Sequence, residues 1–82
     1  MNSGTVNPLQ QLKERLQTVL NESTEHKDFI EALEDCVYAC NLGVTALEQH
    51  LDIWSTVCPI DSKYRKGIEF VEEEWHKLTG MF

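Results

Sequence analysis

The feature that most constrains the fold is an apolar repeat that runs without interruption through the middle of the chain. Apolar residues recur at alternating steps of three and four, which is the spacing of the a and d positions of a heptad. The repeat consists of Ile30, Leu33, Val37, Cys40, Val44, Leu47, Leu51, Trp54 and Cys58. Because this spacing keeps one side of a helix against its neighbours, we predict a single long helix over roughly residues 25–57.

An alternative is a break in this helix at Gly43. Asn41, Leu42 and Gly43 form a favourable helix end, with glycine just after the last turn. Thr45 and Glu48 have the spacing of a capping box, which would start a new helix. A break would give four short helices. We favour the long helix, because a turn has no reason to preserve the phase of the heptad.

A shorter helix is expected on each side of the long one. Asn7 and Pro8 are favourable at the N-cap and first position of a helix, and leucines follow along one side. Pro59 ends the long helix, and Asp61 or Ser62 caps the last one. The predicted fold class is therefore all-α. We expect an antiparallel bundle of three helices with a long central helix, joined by short connections.

The length of 82 residues allows one domain. We predict a disordered N-terminus over residues 1–6 and a single α-helical domain over residues 7–82. A domain of this size buries little core of its own. Self-association is therefore expected to complete the bundle.

The excess of acidic residues is confined to the middle of the chain. The net charge is −7, and no Lys or Arg lies between Lys27 and Lys63. This segment holds Asp28, Glu31, Glu34, Asp35, Glu48, Asp52 and Asp61. The acidity argues against binding to nucleic acid or to anionic membranes, because both need Lys and Arg. A partner of the long helix should instead offer apolar surface at its centre and Lys or Arg at its rim.

The centre of the long helix has no charge on any side. Residues 36–47 are all uncharged, which indicates burial on more than one side. Alanines at 32, 39 and 46 recur every seven residues, so that a second neighbour can approach closely. The predicted interface consists of Ala32, Ala39, Leu42, Gly43, Ala46, Ile53 and Trp54. We expect a homodimer, or a helical partner whose rim is basic.

The cysteines are the main candidates for chemistry. Cys36 and Cys40 are four residues apart, so both thiols lie on one side of a helix and could hold copper(I) or zinc. His50 or Cys58 could supply a third ligand. No CxxC or HExxH motif supports such a site, and paired cysteines are common as small core residues. No metal and no other cofactor are therefore predicted.

The leading hypothesis is a small acidic interaction module, which is an adaptor, a chaperone-like subunit or a regulator without catalytic activity. No nucleophile–base pair and no phosphate-binding loop is visible in the sequence. The alternative is a thiol-based metal-binding or redox-sensing protein that uses Cys36 and Cys40. An acidic decoy for a nucleic-acid-binding surface is a further possibility. An odd number of cysteines and no secretory signal predict a cytoplasmic location.

Overall fold

The computed structural model describes residues 7–22 and 26–80 of the chain. Within these ranges every regular element is a helix, which confirms the all-α prediction. The helices are α1 (Pro8–Glu22), α2 (Lys27–Leu42), α3 (Val44–Val57) and α4 (Lys63–Thr79). None of the helices in these ranges is long and apolar enough to cross a membrane. The predicted disordered segment 1–6 lies outside the described residues.

The long helix predicted over residues 25–57 is wrong, because the chain turns at Gly43 into two helices. Gly43 has φ 126° and ψ 174°, a conformation that residues with a side chain rarely adopt. Its N–H donates to the carbonyls of Ala39 and Cys40 at 3.1 and 3.2 Å, which ends α2. Its own carbonyl accepts from the N–H of Leu47 at 3.0 Å, which begins α3. The alternative prediction of four helices with a break at Gly43 is therefore confirmed.

The heptad keeps its phase through the break because both helices face one core. Leu33 and Cys40 from α2 and Leu47 and Leu51 from α3 are all buried. The spacing therefore records which side of each helix is buried, and it does not require the two helices to be continuous. Val44 and Trp54, by contrast, lie on the same repeat and are exposed over 43% and 37% of their surfaces.

The outer helices begin where the sequence predicts. The Asn7 side-chain oxygen accepts from the N–H of Leu9 at 3.0 Å, so Asn7 caps α1. The Ser62 hydroxyl accepts from the N–H of Tyr64 at 3.1 Å, and this bond selects Ser62 as the cap of α4. Gly80 ends α4 in the left-handed conformation, with φ 71°.

The bundle is organised around the contact between α2 and α4. These two helices share the most extensive interface, while α1 and α3 each pack against both of them. A β-carbon placed on Gly67 of α4 would lie 2.6 Å from the Cβ of Ala32, so the two helices approach closely there. The buried core consists of Leu12, Leu16, Ala32, Leu33, Cys36, Ala39, Cys40, Leu47, Leu51, Ile68, Val71 and Trp75.

Candidate functional site

In the described part of the chain, exposed large apolar side chains are confined to one stretch. Among the described residues, every strongly exposed large hydrophobic lies between positions 38 and 60. They are Tyr38, Leu42, Val44, Ile53, Trp54, Val57 and Ile60. Within the same ranges, α1 and α4 expose none. A concentration of this kind is unusual for a monomer and marks a candidate interaction surface.

Helix α3 is apolar on two sides. Leu47 and Leu51 are buried in the core, whereas Ile53 and Val57 are 54% and 61% exposed. Val57 follows Trp54 by three residues and Ile53 by four, so the three side chains are neighbours on the helix surface. The residues Ile53, Trp54 and Val57 are termed the α3 face. A helix with apolar residues on two sides is typical of an element that packs against two neighbours.

Contacts connect the α3 face to Asp35 of α2, and exposed apolar residues follow Asp35 on the same side of that helix. The Trp54 ring lies 5.3 Å from the Tyr64 ring, measured between centroids. The Tyr64 hydroxyl donates a hydrogen bond of 2.7 Å to the carboxylate of Asp35 on α2. Tyr38 follows Asp35 by three residues and Leu42 follows Tyr38 by four, so these residues share one side of α2. The pair Tyr38 and Leu42 is termed the α2 face.

Exposed carboxylates that form no ion pair with the described residues lie beside the two faces. The ion pairs that Arg and Lys make within the described residues join α1 to α4 or lie within α4. Glu31 and Glu34 are exposed, precede Tyr38 by one or two turns, and form no ion pair in the described part of the chain. Asp52, next to Ile53, is likewise exposed and forms none with the described residues. The negative potential at this surface is therefore available to a positively charged partner.

A cleft of about 180 Å³ lies between α3 and α4, on the Asp52 side of the α3 face. Glu48, Asp52 and Glu72 contribute carboxylates to its lining, together with the indole of Trp75. The Trp75 Nε1–H donates to Glu48 at 3.4 Å. Burial raises the pKa of Glu72; His76, which also lines the cleft, and Arg65 act in the opposite direction, and Glu69 and Asp52 add to the effect of burial. The cleft therefore extends the acidic rim of the α3 face.

His50 lies at the other border of the α3 face. Its ring is 6.1 Å from that of Trp54. Burial lowers the pKa of His50, while the carboxylate of Asp35 acts in the opposite direction. The buried Nε2 atom has no hydrogen-bond partner among the described residues. The neutral form of this imidazole is therefore favoured when the chain is folded.

The structure places two of the candidate metal ligands in the core. Burial raises the pKa of the Cys36 thiol well above its usual range, and it raises that of Cys40 to about 11. Both thiols are therefore protonated near neutral pH, whereas metals bind the thiolate. Cys58 is a partly exposed free cysteine at the end of α3, and its carbonyl accepts from Arg65. Within residues 7–22 and 26–80, no group of three His, Cys, Asp or Glu side chains is placed to hold a metal ion.

The seven residues predicted at an interface differ in exposure. Ala32 and Ala39 are buried, Gly43 and Ala46 are half-buried, and Leu42, Ile53 and Trp54 are exposed. Ala32 and Ala39 are packed within the chain and are not available to a partner, because both lie in the buried core. The exposed members belong to the α2 face and the α3 face.

Four exposed residues are not among those predicted from the sequence, namely Tyr38, Val44, Val57 and Ile60. Val44 lies on the a/d seam, which the heptad predicts to be buried. Tyr38 and Val57 occupy heptad positions outside that seam, where a helix in water normally carries polar residues. Apolar residues at such outer positions were the available signal. The bond between Tyr64 and Asp35 joins residues 29 positions apart and left no local trace in the sequence.

Comparison of the chain with models of known families, with curated proteins and with solved structures finds no match.

Proposed function

We propose that this chain is a protein–protein interaction module that works by helix packing and has no catalytic activity of its own. The observation that carries the proposal is the α3 face. Its three side chains stay exposed although the same helix already contributes Leu47 and Leu51 to the core. The α2 face adds two further exposed side chains, and it begins one turn after Asp35, which Tyr64 links to Trp54.

The energetics favour the covering of this surface by a partner. Full burial of one large apolar side chain contributes about 1.5–3 kcal/mol. Ile53, Val57 and Leu42 are each more than half exposed, so most of that contribution is not realised within the chain. A partner that covers both faces would gain it, and residues of this kind commonly dominate the energy of an interface.

Two kinds of partner are compatible with such a surface. One is a second copy of this chain, which would give the expected homodimer. The other is a helix of a different protein with a basic rim. We propose a cytoplasmic location for the complex, because the three cysteines are free and an odd number is a poor basis for structural disulfides.

The test compares association of the wild-type chain with that of a variant of the α3 face. We would replace Ile53→Ser and Val57→Ser together, and use Gln17→Ser on α1 as a control at another exposed position. Sedimentation velocity over a range of concentrations measures self-association. Quantitative mass spectrometry of proteins captured from the native cell measures association with other proteins.

The proposal expects a dimer or a captured protein that the α3-face variant loses and the Gln17→Ser control retains. Circular dichroism of both variants checks that they are folded. A wild-type chain that stays monomeric, and whose captured proteins do not change when the α3 face is altered, would contradict the proposal.

A further inference from the structure

We infer that the partner of the α2 and α3 faces is a basic amphipathic α-helix of another protein. Its apolar stripe would cover the two faces, and its Lys or Arg residues would flank the stripe. The inference rests on the proposed function, since it names the partner of the same surface. Helix α3 has 14 residues and is therefore about 21 Å long, so a partner segment of about 14–18 residues matches it.

The expectation that the partner is a helix follows from the backbone hydrogen bonds of this chain. The exposed apolar residues of both faces lie on helices, whose interior N–H and C=O groups already bond to one another. No strand in the described part of the chain offers a sheet edge that could pair with an extended peptide. The partner must therefore be recognised through side-chain contacts. Tyr38 and Leu42, and likewise Ile53 and Val57, are spaced by four residues, as in surfaces that bind the apolar stripe of a helix.

The positive charge of the partner follows from the rim of the surface. Glu31 and Glu34 lie on the same side of α2 as Tyr38, and Asp52 adjoins Ile53 on α3. None of these three carboxylates has an ion pair among the described residues. Glu48 and Glu72 continue the acidic rim into the cleft between α3 and α4. A helix with Lys or Arg at these borders would be attracted, whereas an acidic helix would be repelled.

A second copy of the chain fits this rim poorly. A second copy carries the same net charge of −7 and the same exposed carboxylates, so two of these surfaces brought together would repel each other. Charge complementarity therefore favours a different protein.

The experiment uses three synthetic peptides of about 18 residues and the full chain. The first is an amphipathic helix of Leu and Lys with leucines at helical spacing. The second has the same leucine pattern with Glu in place of Lys, and the third is a shuffled Leu/Lys sequence without an apolar stripe. Fluorescence anisotropy of labelled peptides gives each Kd. We expect the amphipathic Leu/Lys peptide to bind at least about tenfold more tightly than either control peptide.

Variants of the chain then locate the binding site. Replacement of Ile53→Ser with Val57→Ser should weaken binding about tenfold or more. Replacement of Glu31→Gln with Glu34→Gln should weaken it about threefold. The third variant combines Glu22→Gln on α1 with Glu73→Gln on α4, changes the net charge equally, and should leave the Kd unchanged.

Two further controls protect the result. Tyr38→Ser reports on the α2 face by itself, in case the double variant of the α3 face does not fold. Sedimentation of the wild-type chain without peptide reports on self-association.

The outcomes separate this inference from the proposed function. Equal binding of the Lys and Glu peptides, or equal weakening by the two charge variants, overturns the basic partner. A chain that binds no peptide but dimerises through the α3 face also overturns it, and the proposed function then stands with a second copy as partner. A chain that neither binds the peptide nor associates through the α3 face in any assay contradicts both.

Discussion

Helices α1 and α3 are nearly equal in length and in their contribution to the core, yet their surfaces differ. Each supplies two buried leucines four residues apart, Leu12 and Leu16 in α1 and Leu47 and Leu51 in α3. The remaining large apolar residues of α1 are partly buried against the core. By contrast, α3 leaves large apolar residues in solvent, and all its charged residues are acidic.

The comparison shows that the apolar content of α3 exceeds what the fold of this chain uses. Both helices supply the same number of buried leucines, but the other large apolar residues of α1 also pack against the core, whereas those of the α3 face do not. Selection for stability alone gives no reason to keep Ile53 and Val57 exposed and apolar, since exposed apolar area gains little in a monomer. The excess on α3 is therefore best explained by a role outside the chain, and the following predictions test this difference.

The largest expected effect is a similar loss of stability when a core leucine is shortened in either helix. Leu16→Ala and Leu47→Ala each remove a fully buried side chain and leave a cavity. Each should lower the free energy of unfolding by about 2–5 kcal/mol, as measured by urea denaturation. If Leu47→Ala lowered the free energy of unfolding far less than Leu16→Ala does, α3 would not be held in the core, and the two helices would not contribute to it alike.

The next effect concerns how the two helices begin. The Asn7 side chain caps the N-terminus of α1, whereas α3 begins after Gly43, whose positive φ of 126° is strained for any residue with a side chain. Gly43→Ala should destabilise the chain by about 1–3 kcal/mol, although no atom lies within 4 Å of the added methyl group.

Gly80→Ala is the matched control for the Gly43 substitution. Gly80 also has open space around it, but its φ of 71° lies in the left-handed region that other residues can enter. The Gly80→Ala variant should therefore lose less stability in urea denaturation than Gly43→Ala. A Gly43→Ala variant that gains helical circular dichroism and stability would instead favour the continuous long helix.

The sequence allowed the helical class, the caps and most of the core to be predicted, because these depend on local patterns. Asn7, Ser62 and the leucine spacing are recognisable within a few residues of chain. The break at Gly43 was predicted only as an alternative, since the apolar phase is the same for a continuous helix and for two helices that face one core. Exposure on α3 depends on which side α2 and α4 cover, and that is a tertiary property.

A smaller effect should appear in the pH dependence of stability. Helix α3 contains His50, whose protonation depends on folding, whereas α1 contains no histidine. Burial holds the pKa of His50 below its ordinary value of 6.5, so the unfolded chain binds the proton more readily. The resulting stability is complete above pH 6.5 and is lost as the pH falls through that value toward the folded pKa. His50→Gln should remove this part of the slope in urea denaturation performed at several pH values.

Gln49→Asn is the control for His50, because Gln49 is the exposed neighbour of His50 on α3 and its side chain carries no titratable group. This variant should stay folded and keep the pH dependence of the wild type. A slope that persists in the His50→Gln variant would show that burial of His50 is not its source.

The smallest expected effect is the sharpest test of the difference between α1 and α3. Ile53→Ser combined with Val57→Ser should change the free energy of unfolding by no more than about 0.5 kcal/mol, because both side chains are already exposed. Leu9→Ser combined with Val19→Ser in α1 should cost about 1 kcal/mol per residue, since these side chains pack against the core. Urea denaturation at two protein concentrations provides the measurement.

The concentration series distinguishes the reasons for any loss in the α3 variant. A loss that is equal at both concentrations and as large as that of the α1 variant would mean that the α3 face is covered within the chain, which removes the basis of the proposed function. A loss that appears only at the higher concentration would mean that a second copy covers the face, because the stability added by association increases with the concentration of the partner. No loss at either concentration leaves the face free for a different protein, since its apolar residues then stabilise neither the monomer nor a dimer.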